Sequence, residues 1–430
     1  MGNYVSNQFF SKSMYLTLVL SVLMLVTGMI DPARSERITE LETRIIARQS
    51  VALTASRFEV PFDFTFGVPI AEVKINGQVF RFLLDTGAVT LIDTRLNKIL
   101  RLDDTSGETR IVDSQGVSST VDRVILPAVE FGSAIFENLL AVVADLAPVN
   151  TPFACLKLDG LLGYNAMPLI RSWTFDFASK KVILETGQPT ISPKAWVSPI
   201  IIENGFGPRV RMKFARDIQI LAELDTGKNS GFTQSPRLLR HFEKTDRLGS
   251  GGLVLSSITT GASGLSASNK PVERAFARVD QFQLGYVPFQ SAVIEFASEP
   301  PLIGNAVLGK FRFTLDWHTA TAHFESIKSG AIDLAPRWRT PGLLYSHTGG
   351  QMRVDGLING LSNDELLLPQ VGTLLTRIGP YDVSSGNLED ACPLLNIDNA
   401  LKKAKYLDLE FVNQGSNKKI KIPYLQPFSN

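Results

Sequence analysis

The sequence predicts a mostly β chain of two related, β-barrel-like lobes followed by a small α+β domain. Three observations carry this expectation. Alternating apolar runs rich in β-branched and aromatic residues recur through residues 60–326, punctuated by Gly, Asn and Pro. One short acidic motif occurs twice, Leu84-Asp85-Thr86-Gly87 and Leu224-Asp225-Thr226-Gly227, with other landmarks repeating around it. Residues 340–430 carry neither the motif nor its landmarks.

The duplication is the strongest signal. Residues 73–84 read as a strand pair turning at Asn76-Gly77, a dipeptide suited to a two-residue hairpin loop. The pair delivers Phe82-Leu83-Leu84 into Asp85, and residues 210–224 mirror it before Asp225. Leu161-Leu162-Gly163 recurs as Leu302-Ile303-Gly304, and Trp173-Thr174-Phe175-Asp176 recurs as Phe313-Thr314-Leu315-Asp316. The separations are 140 residues for Asp85 and Asp225, 141 for Gly163 and Gly304, and 140 for Asp176 and Asp316. A constant offset over three landmarks means that a whole lobe is duplicated. Burying a carboxylate at the end of an apolar strand is costly without compensation. A chain that does so twice places two acids where they can meet. Facing carboxylates share one proton, and such a pair can activate a water and protonate a leaving group. A single Asp-Thr-Gly is a weak signal that ordinarily reads as a plain turn; the repeat is what points to chemistry.

Leu84-Asp85-Thr86-Gly87-Ala88 resembles the catalytic loop of retropepsin-type aspartic proteases, and the likeness to the retropepsin-like and pepsin-like families extends over residues 60–326. The resemblance implies a bilobal aspartic-protease fold and an aspartic endopeptidase in which a water between Asp85 and Asp225 attacks the peptide bond. It implies that Thr86 and Thr226 tie the two loops together through their hydroxyls. Gly87 and Gly227 would donate backbone N–H bonds towards the carboxylates. The two apolar-apolar-Gly segments would support the loops from beneath. Protein or peptide substrates are implied, and no metal or cofactor. A flap hairpin is expected across residues 111–124 with Gly116 near its tip, and a second at Gly261-Ala262-Ser263-Gly264; ordinary loops fit the same residues. One position departs from the pattern. Family members usually carry Ala, Ser or Thr after the second Gly, and this chain has Lys228. Its stem is expected to carry the ammonium to solvent; held near the pair, it would favour ionised Asp225. The alternative reading is a catalytically inactive, protease-fold peptide-binding protein.

Residues 1–34 are expected to form a membrane anchor or signal segment, because residues 14–30 carry no charge and are mostly Leu, Val, Met and Ile. This implies a protein held at a membrane or secreted, with its catalytic part on the non-cytoplasmic (periplasmic or extracellular) side. Residues 35–57 follow as a helical linker, with Ile38, Leu41, Ile45 and Ile46 on one side. The first lobe is expected over residues 58–190, opening with an alternating strand at Phe62-Asp63-Phe64-Thr65-Phe66, and the second over residues 191–330.

Residues 340–430 resemble a PDZ domain, with a strand at 352–358, the stretch Gly372 to Val383, a helix at 395–404 and two closing strands. The resemblance implies a peptide ligand; a β-rich packing domain is the other reading. Cys155 and Cys392 stand far apart in different expected domains and are read as two free, mostly buried thiols. The formal net charge of +1 offers no basic surplus for nucleic acid.

Overall fold

The computed structural model describes residues 48–102, 107–112, 118–147, 155–203, 206–214, 218–259, 272–328, 330, 332–348, 350–361, 368–396, 401 and 403–429. The membrane or signal segment, most of the expected linker, Gly116 and the 261–264 loop lie outside the described residues. Among the described residues no helix is long and apolar enough to cross a membrane.

Asn76 and Gly77 turn the chain with φ of 51° and 77°. Both values are positive, as a primed two-residue loop requires. Ile75 therefore pairs with Gln78, and the Ile70–Ile75 and Gln78–Asp85 strands run antiparallel in register from there. Along these strands Val73, Ile75, Phe82 and Leu84 are fully buried while Glu72 and Lys74 face solvent. The period of two sets the register and puts Asp85 on the Leu83 face of the strand end, opposite the face of Phe82 and Leu84.

These two strands belong to an eight-stranded sheet in the order 50–53, 134–144, 91–93, 160–163, 78–85, 70–75, 118–131 and 108–112. A further pairing of Ala134–Ala144 with Ser118–Phe131 curls the sheet onto itself. A second eight-stranded sheet repeats the plan in the order 254–259, 272–284, 209–214, 218–224, 302–303, 232–234, 287–296 and 332–333, closed by pairing of 272–284 with 287–296. The structure is mostly β with two related barrel-like lobes, as the sequence predicts.

A six-stranded antiparallel sheet joins the lobes, in the order 196–199, 321–326, 311–316, 172–176, 181–185 and 57–61. At its centre the repeated segments Ser172–Asp176 and Phe311–Asp316 pair with each other, Thr174 opposite Thr314. Phe175 stacks on Phe313 and Phe131 on Trp173, with ring centroids 6.1 and 5.6 Å apart. One apolar cluster runs continuously through both lobes and this sheet. Each fully buried Phe in it contributes about 2 kcal/mol of apolar transfer energy, so the lobes are fused through their cores.

Several expectations need correcting. Phe62 to Phe66 is not a strand. The strand is Arg57–Pro61, and Asp63 Oδ1 accepts bonds from the Thr65 N–H (2.9 Å) and hydroxyl (2.6 Å), which turns the chain. The alternation instead buries Phe62 and Phe64 against Phe177. The end of the expected helical linker is extended: Ser50–Leu53 pairs with Ala134 to Glu137.

The C-terminal residues form a two-stranded sheet, Leu343–Thr348 with Gln351–Leu357, and a four-stranded sheet in the order 381–382, 375–378, 406–413 and 416–423. They enclose a core of their own that includes Val354, Leu375, Ile378, Leu407 and Leu409. The helix runs over Leu388–Leu395, earlier than the expected 395–404. Asn387 starts it by accepting the Glu389 N–H at 3.2 Å, and Glu389 and Asp390 favour the first turn. This portion packs on the second lobe through Phe428, whose carbonyl accepts from Arg278 at 3.0 Å.

The two cysteines are not free thiols. Cys155 and Cys392 form a disulfide with Cα atoms 5.5 Å apart, across 237 residues of sequence. Beside it Lys157 and Glu389 form an ion pair at 2.9 Å. The C-terminal portion is therefore tied covalently to the first lobe and packed non-covalently on the second.

Candidate active site

The two Asp-Thr-Gly loops meet where the lobes face each other. Each sits at the end of an apolar strand that pairs in parallel with its own supporting segment. Gln78–Asp85 runs beside Gly160–Gly163, with Asp85 opposite Gly163, and Ile218–Leu224 runs beside Leu302–Ile303. The close passage explains why the supporting segment ends in glycine: a Cβ on Gly163 would collide with the Ala88 carbonyl.

The loops are locked by reciprocal bonds between fully buried threonines. Thr86 N–H donates to Thr226 Oγ1 and Thr226 N–H donates to Thr86 Oγ1, each at 3.0 Å. The Thr86 hydroxyl donates to the Leu224 carbonyl and the Thr226 hydroxyl to the Leu84 carbonyl. Each buried threonine thus satisfies the other lobe's strand end. Asn305, 4% exposed, adds a second link: its Nδ2 donates to Gly67 O at 2.9 Å and to Thr226 O at 2.7 Å.

The lock holds the carboxyls face to face. Gly87 N–H donates to Asp85 Oδ1 and Gly227 N–H to Asp225 Oδ1, both at 2.8 Å. A Cβ on Gly87 would stand 2.8 Å from Asp225 Cγ, and one on Gly227 would stand 2.6 Å from Asp85 Cγ. Only glycine lets each loop come this close to the opposing acid. Burial and the neighbouring Asp225 charge push the Asp85 carboxyl well above its usual range. Burial also raises Asp225, against the pull of Lys228 and of the Gly227 and Lys228 N–H groups. Two carboxyls so placed can retain a proton between them, an arrangement that allows one to act as base and the other as acid.

Lys228 does not carry its charge to solvent. Its Nζ pairs with Glu299 at 3.1 Å, with the lysine side chain 15% exposed and the glutamate 5%. Glu299 is held in turn by Arg274, which also pairs with Glu295. The ammonium remains close enough to Asp225 to favour its ionised form.

The sequence points to Asp85, Thr86, Gly87, Asp225, Thr226 and Gly227, and the structure brings all six together. The strands Glu108–Val112 and Ser118–Phe131 pair on either side of the Gly116 segment. Two participants were missed. Asn305 follows Gly304 directly, so its place in the repeated landmark was the available signal. Glu223 looks like one residue of an alternating strand, and only the three-dimensional packing sets it beside the dyad.

Residues 71–166 match the family model described as aspartyl protease. That span holds Asp85, Thr86, Gly87 and the first supporting segment, and it ends before the second lobe. Among solved structures, the chain is similar to a retropepsin-like aspartic protease from Rickettsia conorii, at 19% identity and a TM-score of 0.24, covering 32% of this chain and 92% of that one. A comparison with curated proteins gave no match. Two β lobes that each deliver an Asp-Thr-Gly loop to one shared centre make up the bilobal aspartic-protease fold.

Proposed function

We propose that the chain is an aspartic endopeptidase. The observation that carries this reading is the meeting of Asp85 and Asp225 across reciprocally bonded Thr86 and Thr226. In this reading a water lies between the two carboxyls. The ionised member takes a proton from it as it attacks the peptide carbonyl, and the protonated member donates to the carbonyl oxygen. Proton return through the pair then expels the amine, and both carboxyls end as they began. The matched aspartyl protease model over the first lobe supports the same chemistry. Substrates are proteins or peptides, bound in extended form across the two lobes.

The test is hydrolysis of a mixed peptide library by the full chain beside Asp85→Asn and Asp225→Asn. Loss of cleavage in both variants, with folding retained, supports the assignment. Full activity in either variant rejects it.

Two accompanying proposals concern the rest of the chain. Residues 14–30 anchor the protein in a membrane or direct its export, which carbonate washing and N-terminal sequencing of the mature chain would decide. The C-terminal portion is a PDZ-like domain that takes an extended peptide by strand addition at a sheet edge; peptide titration of the full chain tests it.

A further inference from the structure

Glu223 stands two residues before Asp225, where the first lobe has Leu83 at the 140-residue separation of the repeat. An apolar residue in one lobe is thus replaced by a carboxylic acid in the other. Its side chain turns towards the loop interface. Glu223 Oε1 lies 3.2 Å from the point a Cβ would occupy on Gly87, and Asp225 Oδ1 lies 3.0 Å from that same point. The two carboxylates are therefore neighbours on one side of Gly87. Glu223 Oε1 also lies 3.0 Å from the Cβ point of Gly207, whose N–H donates to the glutamate.

The charged and titratable groups around Glu223 come from both lobes. Asp225 lies on its own chain segment and Asp85 faces it from the first lobe. The Tyr164 hydroxyl feels its charge from the end of the first supporting segment. Arg209 is its cross-strand partner, but that guanidinium also pairs with Glu203 and lies 4.4 Å over the Phe206 ring. Lys228 is turned to Glu299. Burial and the Asp225 charge raise the Glu223 carboxyl to about 7.

We propose that Glu223 is a positioning residue for the dyad's proton: its carboxylate keeps the shared proton on Asp85 and Asp225 to higher pH than the pair alone would hold it. Once ionised, Glu223 sets a negative charge beside the two acids and disfavours their further ionisation, so the working, singly protonated state extends through neutral pH. Lys228 acts on Asp225 in the opposite sense. The proposal rests on reading Asp85 and Asp225 as a proton-sharing pair.

The experiment compares wild type, Glu223→Gln and Glu223→Asp, each as the full chain, by kcat/KM against pH on a peptide substrate. The carboxyl carbons of 13C-labelled aspartate are titrated in parallel. In Glu223→Gln the basic limb should move to lower pH, with kcat/KM several-fold lower at neutral pH and retained at acid pH. Glu223→Asp should recover part of the shift. Superimposable profiles, or an equal loss at every pH, would overturn the proposal. If wild type hydrolyses no peptide, the peptidase reading has failed and the titration alone decides. Earlier loss of the shared proton in Glu223→Gln supports the role, and unchanged titration rejects it.

Discussion

Thr174 and Thr314 face each other on adjacent strands of the interlobe sheet, their hydroxyls 2.8 Å apart and both buried. They are 140 residues apart, the same separation as Thr86 and Thr226. Both pairs therefore join equivalent residues of the two lobes, one pair at the candidate site and the other in the sheet beneath. The duplicated sequence becomes a near-twofold structure with threonine pairs marking the symmetric contacts.

This pairing makes a stability prediction. Thr174→Val leaves the Thr314 hydroxyl buried without its partner, which costs about 1–3 kcal/mol. Thr314→Val should cost about the same. The double variant replaces both hydroxyls with methyls and should be less destabilised than the sum of the singles. Denaturant unfolding of the four proteins in a double-mutant cycle checks it; strict additivity would mean that the hydroxyls are uncoupled.

The disulfide closes a very long loop and ties the C-terminal portion to the first lobe. Replacing Cys155 and Cys392 together by Ser should lower stability by about 2–5 kcal/mol. Because the Phe428 contact remains, the C-terminal portion should loosen at the first lobe before it leaves the second. Hydrogen exchange along residues 375–413, compared between oxidised and variant proteins, reads this order.

Lys228 sets a pH prediction of known sign. Burial raises Asp225, and the ammonium opposes that rise by favouring the carboxylate. Lys228→Ser removes the opposition, so the pair should keep its proton to higher pH and the basic limb of the pH–rate profile should rise. Glu299 keeps Arg274 as partner, so the fold should survive the change. Identical profiles would show that the Lys228 charge does not reach the dyad.

Glu223 makes a matching prediction for stability. Its folded value of about 7 lies above its ordinary 4.5. The favourable contribution of the protonated form is complete below the ordinary value, and it is lost as pH rises through about 7. Thermal melts should show stability falling over that window, with a smaller fall in Glu223→Gln. An equal fall in both would assign the whole effect to Asp85 and Asp225.

Much of this was legible in the sequence because it depends on local rules. Asn76-Gly77 needs positive φ at both residues, so the hairpin before Asp85 could be read directly. The two Asp-Thr-Gly loops and their supporting segments could be matched because the offset stayed constant. What escaped depends on distant partners. Cys155 finds Cys392 across the rest of the first lobe and the whole of the second, 237 residues on, and nothing local encodes that meeting. Lys228 goes to Glu299, which is 71 residues on. Phe62 and Phe64 alternate like a strand, yet an Asp63 turn and the Phe177 ring decide their place. Glu223 had the spacing of an ordinary strand residue, and its meaning comes from the opposite lobe.

The central claim is that Asp85 and Asp225 form one proton-sharing, water-binding pair. The most direct measurement is the affinity of a statine-containing peptide, whose hydroxyl takes the place of the attacking water, for wild type and for Asp85→Asn. Transition-state mimics gain from groups arranged for the reaction. Wild type should bind it at least about 100-fold more tightly than Asp85→Asn, with both proteins folded. Equal affinity in the two proteins would contradict the account.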